Sequence, residues 1–219
     1  MWSDAVVDLS VLLAFVAAAL VISLVPGPDM LFIVANGIAK GRRAGVVAAL
    51  GMSTGLAVHT VAAALGLGAL LQAVPAVLDA IRITGAAFLV YLAVSTLRSS
   101  KQALANTDPE PVPDRSLRRT YVLAVLTNLA NPKVILFFLA FFPQFLHADA
   151  AWPMWAQFLV LGAVFIAVGL SVDGSVGLTA GALAALLLRR PSIRRWLDRV
   201  SAAIFGALAI RLVADRSTT

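Results

Sequence analysis

Apolar residues along this chain come in long blocks and do not alternate with polar ones. Six blocks, at about 9–37, 45–71, 76–97, 120–146, 154–188 and 195–213, are long enough to be membrane helices, since a spanning helix needs roughly 20 apolar residues. The first, fourth and fifth are longer than one crossing requires, which predicts a break or a tilt in each. In the fifth, Gly169, Gly174, Gly177 and Gly181 predict a bend near Asp173. Residues 99–119 form the one long polar stretch, with Pro109, Pro111 and Pro113 among charges, and read as a linker. It divides the blocks into two sets of three. Three is odd, so the second set enters the bilayer from the opposite side, which is the arithmetic of an inverted repeat. The expected fold is therefore an all-α integral membrane protein. Six transmembrane helices form one domain over 1–219, as two inverted three-helix repeats (about 9–97 and 120–213).

Composition supports a membrane setting. Apolar residues make up 61% and charged residues 13% of the chain, and the mean hydropathy is +0.94; a soluble domain is about half apolar and a quarter charged. The net charge of +6, from 17 basic and 11 acidic residues, comes mostly from arginines in a few loops. That pattern suits cytoplasmic membrane flanks and not a nucleic-acid surface. Lys40, Arg42 and Arg43 lie in the first loop, Arg98, Lys101, Arg115, Arg118 and Arg119 in the third, and Arg189, Arg190, Arg194, Arg195 and Arg199 in the fifth. The positive-inside rule then puts odd loops in the cytoplasm and both termini outside it, although Arg211 and Arg216 pull slightly the other way. Trp2, Tyr121, Trp152, Trp155 and Trp196 fall at helix ends, where amphipathic rings anchor. Asp79 and Arg82 are spaced for an interfacial ion pair. The first 25 residues hold Asp4 and Asp8 and no Lys or Arg, unlike a cleavable signal. With no cysteine, disulfides, thiolate catalysis and cysteine-ligated metals are excluded. No metal or cofactor is expected.

Two proline motifs interrupt apolar blocks about half the chain apart, and each is followed by a charge: Pro26-Gly27-Pro28-Asp29 and Asn131-Pro132-Lys133. Proline removes a backbone donor and clashes with the preceding turn, so the helix reopens there. Each motif also reads as a new helix start, with Gly27 or Asn131 at N-cap, proline at N1 and the charge at N2. Such a start offers unpaired N–H groups and the positive end of a dipole to a carboxylate. Asp29 suits that place; Lys133 does not, and needs an anion nearby, either Asp29 or a bound carboxylate. Aligning Pro28 with Pro132 sets Gly27 over Asn131 and Asp29 over Lys133. An ionised group at the bilayer centre costs about 2.5–3.5 kcal/mol to insert. Mutual neutralisation is the bland explanation of the pair; a binding site explains why the cost is met twice.

His59 and Asp173 also lie at membrane depth. A histidine there can carry a coupling proton or simply pack, and an acid among apolar turns wants a partner. Asn128, one turn before Asn131, is expected to hydrogen-bond the reopened backbone. Gly51 and Gly55, like Gly177 and Gly181, form GxxxG pairs that favour close helix packing, within one subunit ahead of dimerisation.

The first motif, the Gly51, Gly55 and His59 pattern, and Asn131-Pro132-Lys133 running into Leu136 to Phe142 and Pro143-Gln144-Phe145 resemble the LysE/RhtB amino-acid exporter family over about 9–213. The resemblance implies a bacterial inner-membrane exporter of amino acids or close derivatives, driven by an ion gradient with the proton as the expected ion. By position, Pro26, Gly27, Pro28, Asp29, Asn131, Pro132 and Lys133 match the family signature, whereas Asp173 is not part of it. The substrate would lie between the two half-helix starts. Lys133 and the half-helix N–H groups would hold its carboxylate, with Asn131 a further binding or coupling residue. Asp29 or Asp173 would meet its ammonium, and His59 or Asp29 would take the proton if coupling is to protons. An intramembrane enzyme is the alternative, but Asp29 and Asp173 lack a YD/GxGD setting, Ser175 lacks a GxSxG frame, and no HExxH occurs. A lipid-handling or channel protein, and a homo-oligomer, stay open. Single cysteines at Ser3 and Thr218 of this cysteine-free chain should both react with an impermeant reagent in intact cells. Protection of both would invert the topology, and protection of one would mean an odd number of spans.

Overall fold

The computed structural model describes residues 9–67, 116–147 and 150–189, with isolated helical positions between 83 and 94 and between 192 and 210. Among these every regular element is a helix: α1 (Leu9–Leu24), α2 (Pro28–Lys40), α3 (Arg42–Ala62), α4 (Leu117–Leu129), α5 (Pro132–Leu136) and α6 (Met154–Arg189). The chain after α3 makes a π-turn over Ala63–Leu67, and the chain after α5 makes another over Phe137–Phe141 and then a 3-10 turn over Phe142–Phe145. Both proline motifs break a helix as expected. α1 and α2 meet at 54°, and α4 meets the Pro132–Phe145 segment at 45°. Arg42–Gly66 and Met154–Ala180 are each long and apolar enough to cross a membrane, so the described residues hold up to four spans if each bent pair counts as one. Most of the third and sixth blocks, the linker to Arg115, the Asp79–Arg82 pair, Trp2, Asp4, Asp8, Arg211 and Arg216 lie outside the described residues.

The fifth block departs from expectation. It runs as one unbroken helix through Asp173. Glycine keeps its N–H, so it weakens a helix without opening the hydrogen-bond ladder as proline does. Here a glycine serves contact: a Cβ on Gly177 would come within 2.6 Å of the Gly45 backbone on α3. α3 is the central element, packed on α2, α4 and α6. Its other face meets α4 just as closely, since a Cβ on Gly51 would stand 2.6 Å from both the Tyr121 carbonyl and the Ala124 methyl. Gly51, Gly55 and Gly177 thus pack inside the subunit, while Gly181 falls outside the described side-chain environment. Without a hydrophobic drive between helices in lipid, such backbone approach supplies the dispersion contact that holds them.

The aromatic run after α5 forms the second packing centre. Phe15 of α1 lies 5.0 Å from Phe142 and 5.1 Å from Phe145, and Phe137 lies 4.6 Å from Phe165 of α6. Buried Gln157 ties the turn between the two segments, accepting from the His147 N–H and donating to the carbonyls of His147 and Trp152. Trp152 and Trp155 are exposed at the start of α6, as interfacial anchors are. Tyr121 differs. Its hydroxyl bonds Thr54 at 2.7 Å across the α3–α4 contact. Leu9, Leu13, Leu31, Leu126 and Leu178 face outward, which an apolar solvent favours.

Gly51→Val would force α3 and α4 apart at a backbone contact and should destabilise the protein by about 1–3 kcal/mol. A lower thermal midpoint of the purified protein reads this. Gly174→Ala, whose new methyl meets nothing within 4 Å, should leave the midpoint unchanged.

Candidate functional site

The site begins with missing N–H groups. In a continuous helix the Ile22 carbonyl would accept from residue 26, but that residue is Pro26, which has no N–H. The chain leaves the helix after Leu24 and restarts at Pro28, with Gly27 extended as N-cap (φ −152°, ψ −174°) and no side chain capping it. The carbonyls at the end of α1 therefore point out of the ladder. Lys133 takes two of them: Nζ donates to Ile22 O at 3.0 Å and to Val25 O at 3.1 Å. Its expected need for an anion is met by carbonyl dipoles at a helix C-terminus, where a cation is favoured. An ammonium has three N–H donors, so one is left for another partner. Gly27 lies directly against it, and a Cβ there would be 3.4 Å from Nζ.

The second break repeats the logic with different partners. Asn131 caps α5, its side chain accepting from the Lys133 N–H at 3.0 Å. Pro132 deprives the Asn128 carbonyl of its i+4 donor; that carbonyl accepts from Asn131 N at 3.0 Å instead. The His59 ring stacks on Phe138 at 5.5 Å. The Asn128 side chain does not bond reopened backbone as expected. Its Nδ2 donates to Asp29 Oδ2 at 2.8 Å, linking the two broken spans. Gly55 on α3 makes room for this side chain, since a Cβ there would stand 2.5 Å from Asn128 Oδ1.

A cleft of about 400 Å³, counting its open mouth, lies between the breaks, and Asp29, Asn128, Lys133 and Asp173 all line it. Ile22, Ser23, Met30, Leu56, Val134, Phe165 and Gly169 complete the wall. Asp29, Lys133 and Asp173 thus meet at one cavity, whereas His59 and Asn131 do not line it. Both acids act electrostatically on Lys133. Five buried side-chain atoms have no partner among the described residues: Asp29 Oδ1, Asn128 Oδ1, Asn131 Nδ2, His59 Nε2 and Gln144 Oε1. Buried groups are normally satisfied, and two of these atoms, Asp29 Oδ1 and Asn128 Oδ1, belong to residues that line the cleft. Sequence reasoning missed Asn128 as a cleft residue; its spacing one turn ahead of the second motif was the available signal. It also missed the Ile22 and Val25 carbonyls, which only the i+4 relation to Pro26 foreshadows.

Interrupted apolar helices around a charged cleft define a multi-pass membrane protein built on the plan of a transporter. The chain belongs to the LysE type translocator family, whose model matches residues 20–216. It is 35% identical over 213 residues to an uncharacterized membrane protein of Vibrio cholerae, covering 96% of this chain and all of that one. It is 32% identical over 200 residues to a membrane protein of Pseudomonas aeruginosa, covering 90% of this chain and 92% of the relative. The homoserine/homoserine lactone efflux protein of Salmonella typhimurium is 29% identical over 203 residues, covering 93% and 96% of the two chains. No solved structure matches the chain.

Asn128→Ala should free Asp29 from its hydrogen bond at a cost of about 1.5–3 kcal/mol, the range for bonds to charged groups. The expected readout is a lower thermal midpoint together with reduced flux. Asn128→Asp should be worse, because it sets a second carboxylate against the first. An unchanged midpoint and flux in Asn128→Ala would remove this contact from the site.

Proposed function

We propose that this protein is a secondary transporter that exports amino acids or close derivatives across the bacterial inner membrane. The observation that carries the reading is the cleft between the two proline breaks, where Asp29, Lys133 and Asp173 converge in a chain of a translocator family. Efflux of homoserine and its lactone by a relative supports small amino-acid-like cargo. The family is one of translocators, which favours transport over the intramembrane-enzyme and lipid-handling readings.

Cargo lies near the bilayer midplane. The remaining N–H of Lys133 and the uncapped start of α2 hold its carboxylate, and Asp29 Oδ1 or Asp173 receives its ammonium. Asn131 holds Lys133 through the α5 cap. The proton is the coupling ion, with Asp29 its carrier in preference to His59, because Asp29 lines the cleft and His59 does not. Six helices as two inverted repeats, both termini outside the cytoplasm, give the alternating access this requires.

Counterflow in proteoliposomes with a panel of labelled amino acids tests the reading without assuming a driving force. Exchange of at least one amino acid is expected, and none would reject it. Lys133→Met should abolish that exchange while the protein still reaches the membrane, and Lys133→Arg should restore it poorly, since a planar guanidinium does not fit a seat shaped by two carbonyls for an ammonium. If Lys133 served only to neutralise Asp29, the double variant Lys133→Met with Asp29→Asn would regain full exchange. Such recovery would remove Lys133 from the substrate site.

A further inference from the structure

The seat of Lys133 has the makings of a cation site. Reopened carbonyls and half-helix C-terminal ends are what broken-helix transporters present to a coordinated Na⁺. Here the end of α1 presents Ile22 O and Val25 O, and both are directed at one point 3.0 and 3.1 Å away. Asp29 adds an unpartnered buried carboxylate oxygen from α2, and Asp173 adds a second acid from α6 in the same cleft. All of these are oxygen donors, and together they carry negative charge. The point on which the two carbonyls converge is filled by the Lys133 ammonium, delivered from α5, and both acids line the same cleft. Gly27 leaves no side chain between that ammonium and the α2 start.

We propose that Lys133 is a tethered cation occupying a monovalent-cation site, so that the protein transports without binding Na⁺ or K⁺. A chain-borne ammonium supplies one positive charge at a fixed place and never dissociates, which an inorganic ion at the same carbonyls cannot do. Removing the ammonium then opens that site to Na⁺. The claim about transport rests on the exporter reading; the claim about the cation site does not. If the ammonium only caps these carbonyls, its removal leaves them to water and no ion-dependent shift follows, so the two roles are separable.

The test compares wild type and Lys133→Ala in detergent, with NaCl or KCl replaced by choline chloride at constant ionic strength. Lys133→Ala should show a saturable rise in thermal midpoint with Na⁺, about 5 °C at saturation given the size of ligand linkage in a chain of this length. The wild-type midpoint should not respond to the replacement, and wild-type counterflow should change less than about twofold, unlike a site that saturates with its ion. A folded Lys133→Ala with no cation-dependent shift overturns the proposal. So does wild-type counterflow that requires Na⁺ or K⁺, and this second arm decides the matter if Lys133→Ala does not fold. Absence of any wild-type counterflow would count against the exporter reading, while the detergent comparison would still decide the cation site.

Discussion

One missing N–H organises this molecule. Pro26 leaves the Ile22 carbonyl without its donor inside a span, where an unsatisfied polar group has no water to turn to. Lys133 carries the opposite problem, a charge at membrane depth that costs about 2.5–3.5 kcal/mol to insert. Each resolves the other: the ammonium satisfies the carbonyls of Ile22 and Val25, and the end of α1 stabilises the ammonium. The consequence is structural before it is functional. The first broken span is fastened to the second at the one level where both are open, and a charged cleft is fixed between them.

The two breaks are alike in backbone and unlike in chemistry. At both, proline sits at N1 and the helix restarts from the preceding residue. Asn131 closes its own break with a side-chain cap, and Pro132's orphaned carbonyl on Asn128 is taken by Asn131 N. The first break has only Gly27, which caps nothing. Its N–H groups and its carbonyls are left for partners from elsewhere, so the first break faces the cleft with open valences while the second is largely self-contained. Pseudo-symmetric sequence positions thereby acquire different tasks.

The surroundings are closely packed. α3 approaches α4 and α6 at backbone distance through Gly51, Gly55 and Gly45, and the phenylalanines from Phe137 to Phe145 pack on Phe15, Phe158 and Phe165. Small residues on one side and aromatic mass on the other fix where Asp29, Lys133 and Asp173 stand.

Much of this was legible in the residues themselves. Apolar block length is a local property, and so are proline's missing donor and the capping order Gly27-Pro28-Asp29 and Asn131-Pro132-Lys133; the spans, their two breaks and the new helix starts follow from them. The motifs also sufficed to place the chain near its family. The bend expected at Asp173 was misread because a glycine-rich run looks the same whether it hinges a helix or seats one, and only Gly45 across the gap shows which. Partners were decided by the tertiary structure alone. Lys133 reaches carbonyls 108 and 111 positions away, and Asn128 reaches Asp29 across 99. A backbone carbonyl is the same group in every residue and leaves no mark in a sequence. Which ones stand open to an ammonium is settled only when the two broken spans are brought side by side.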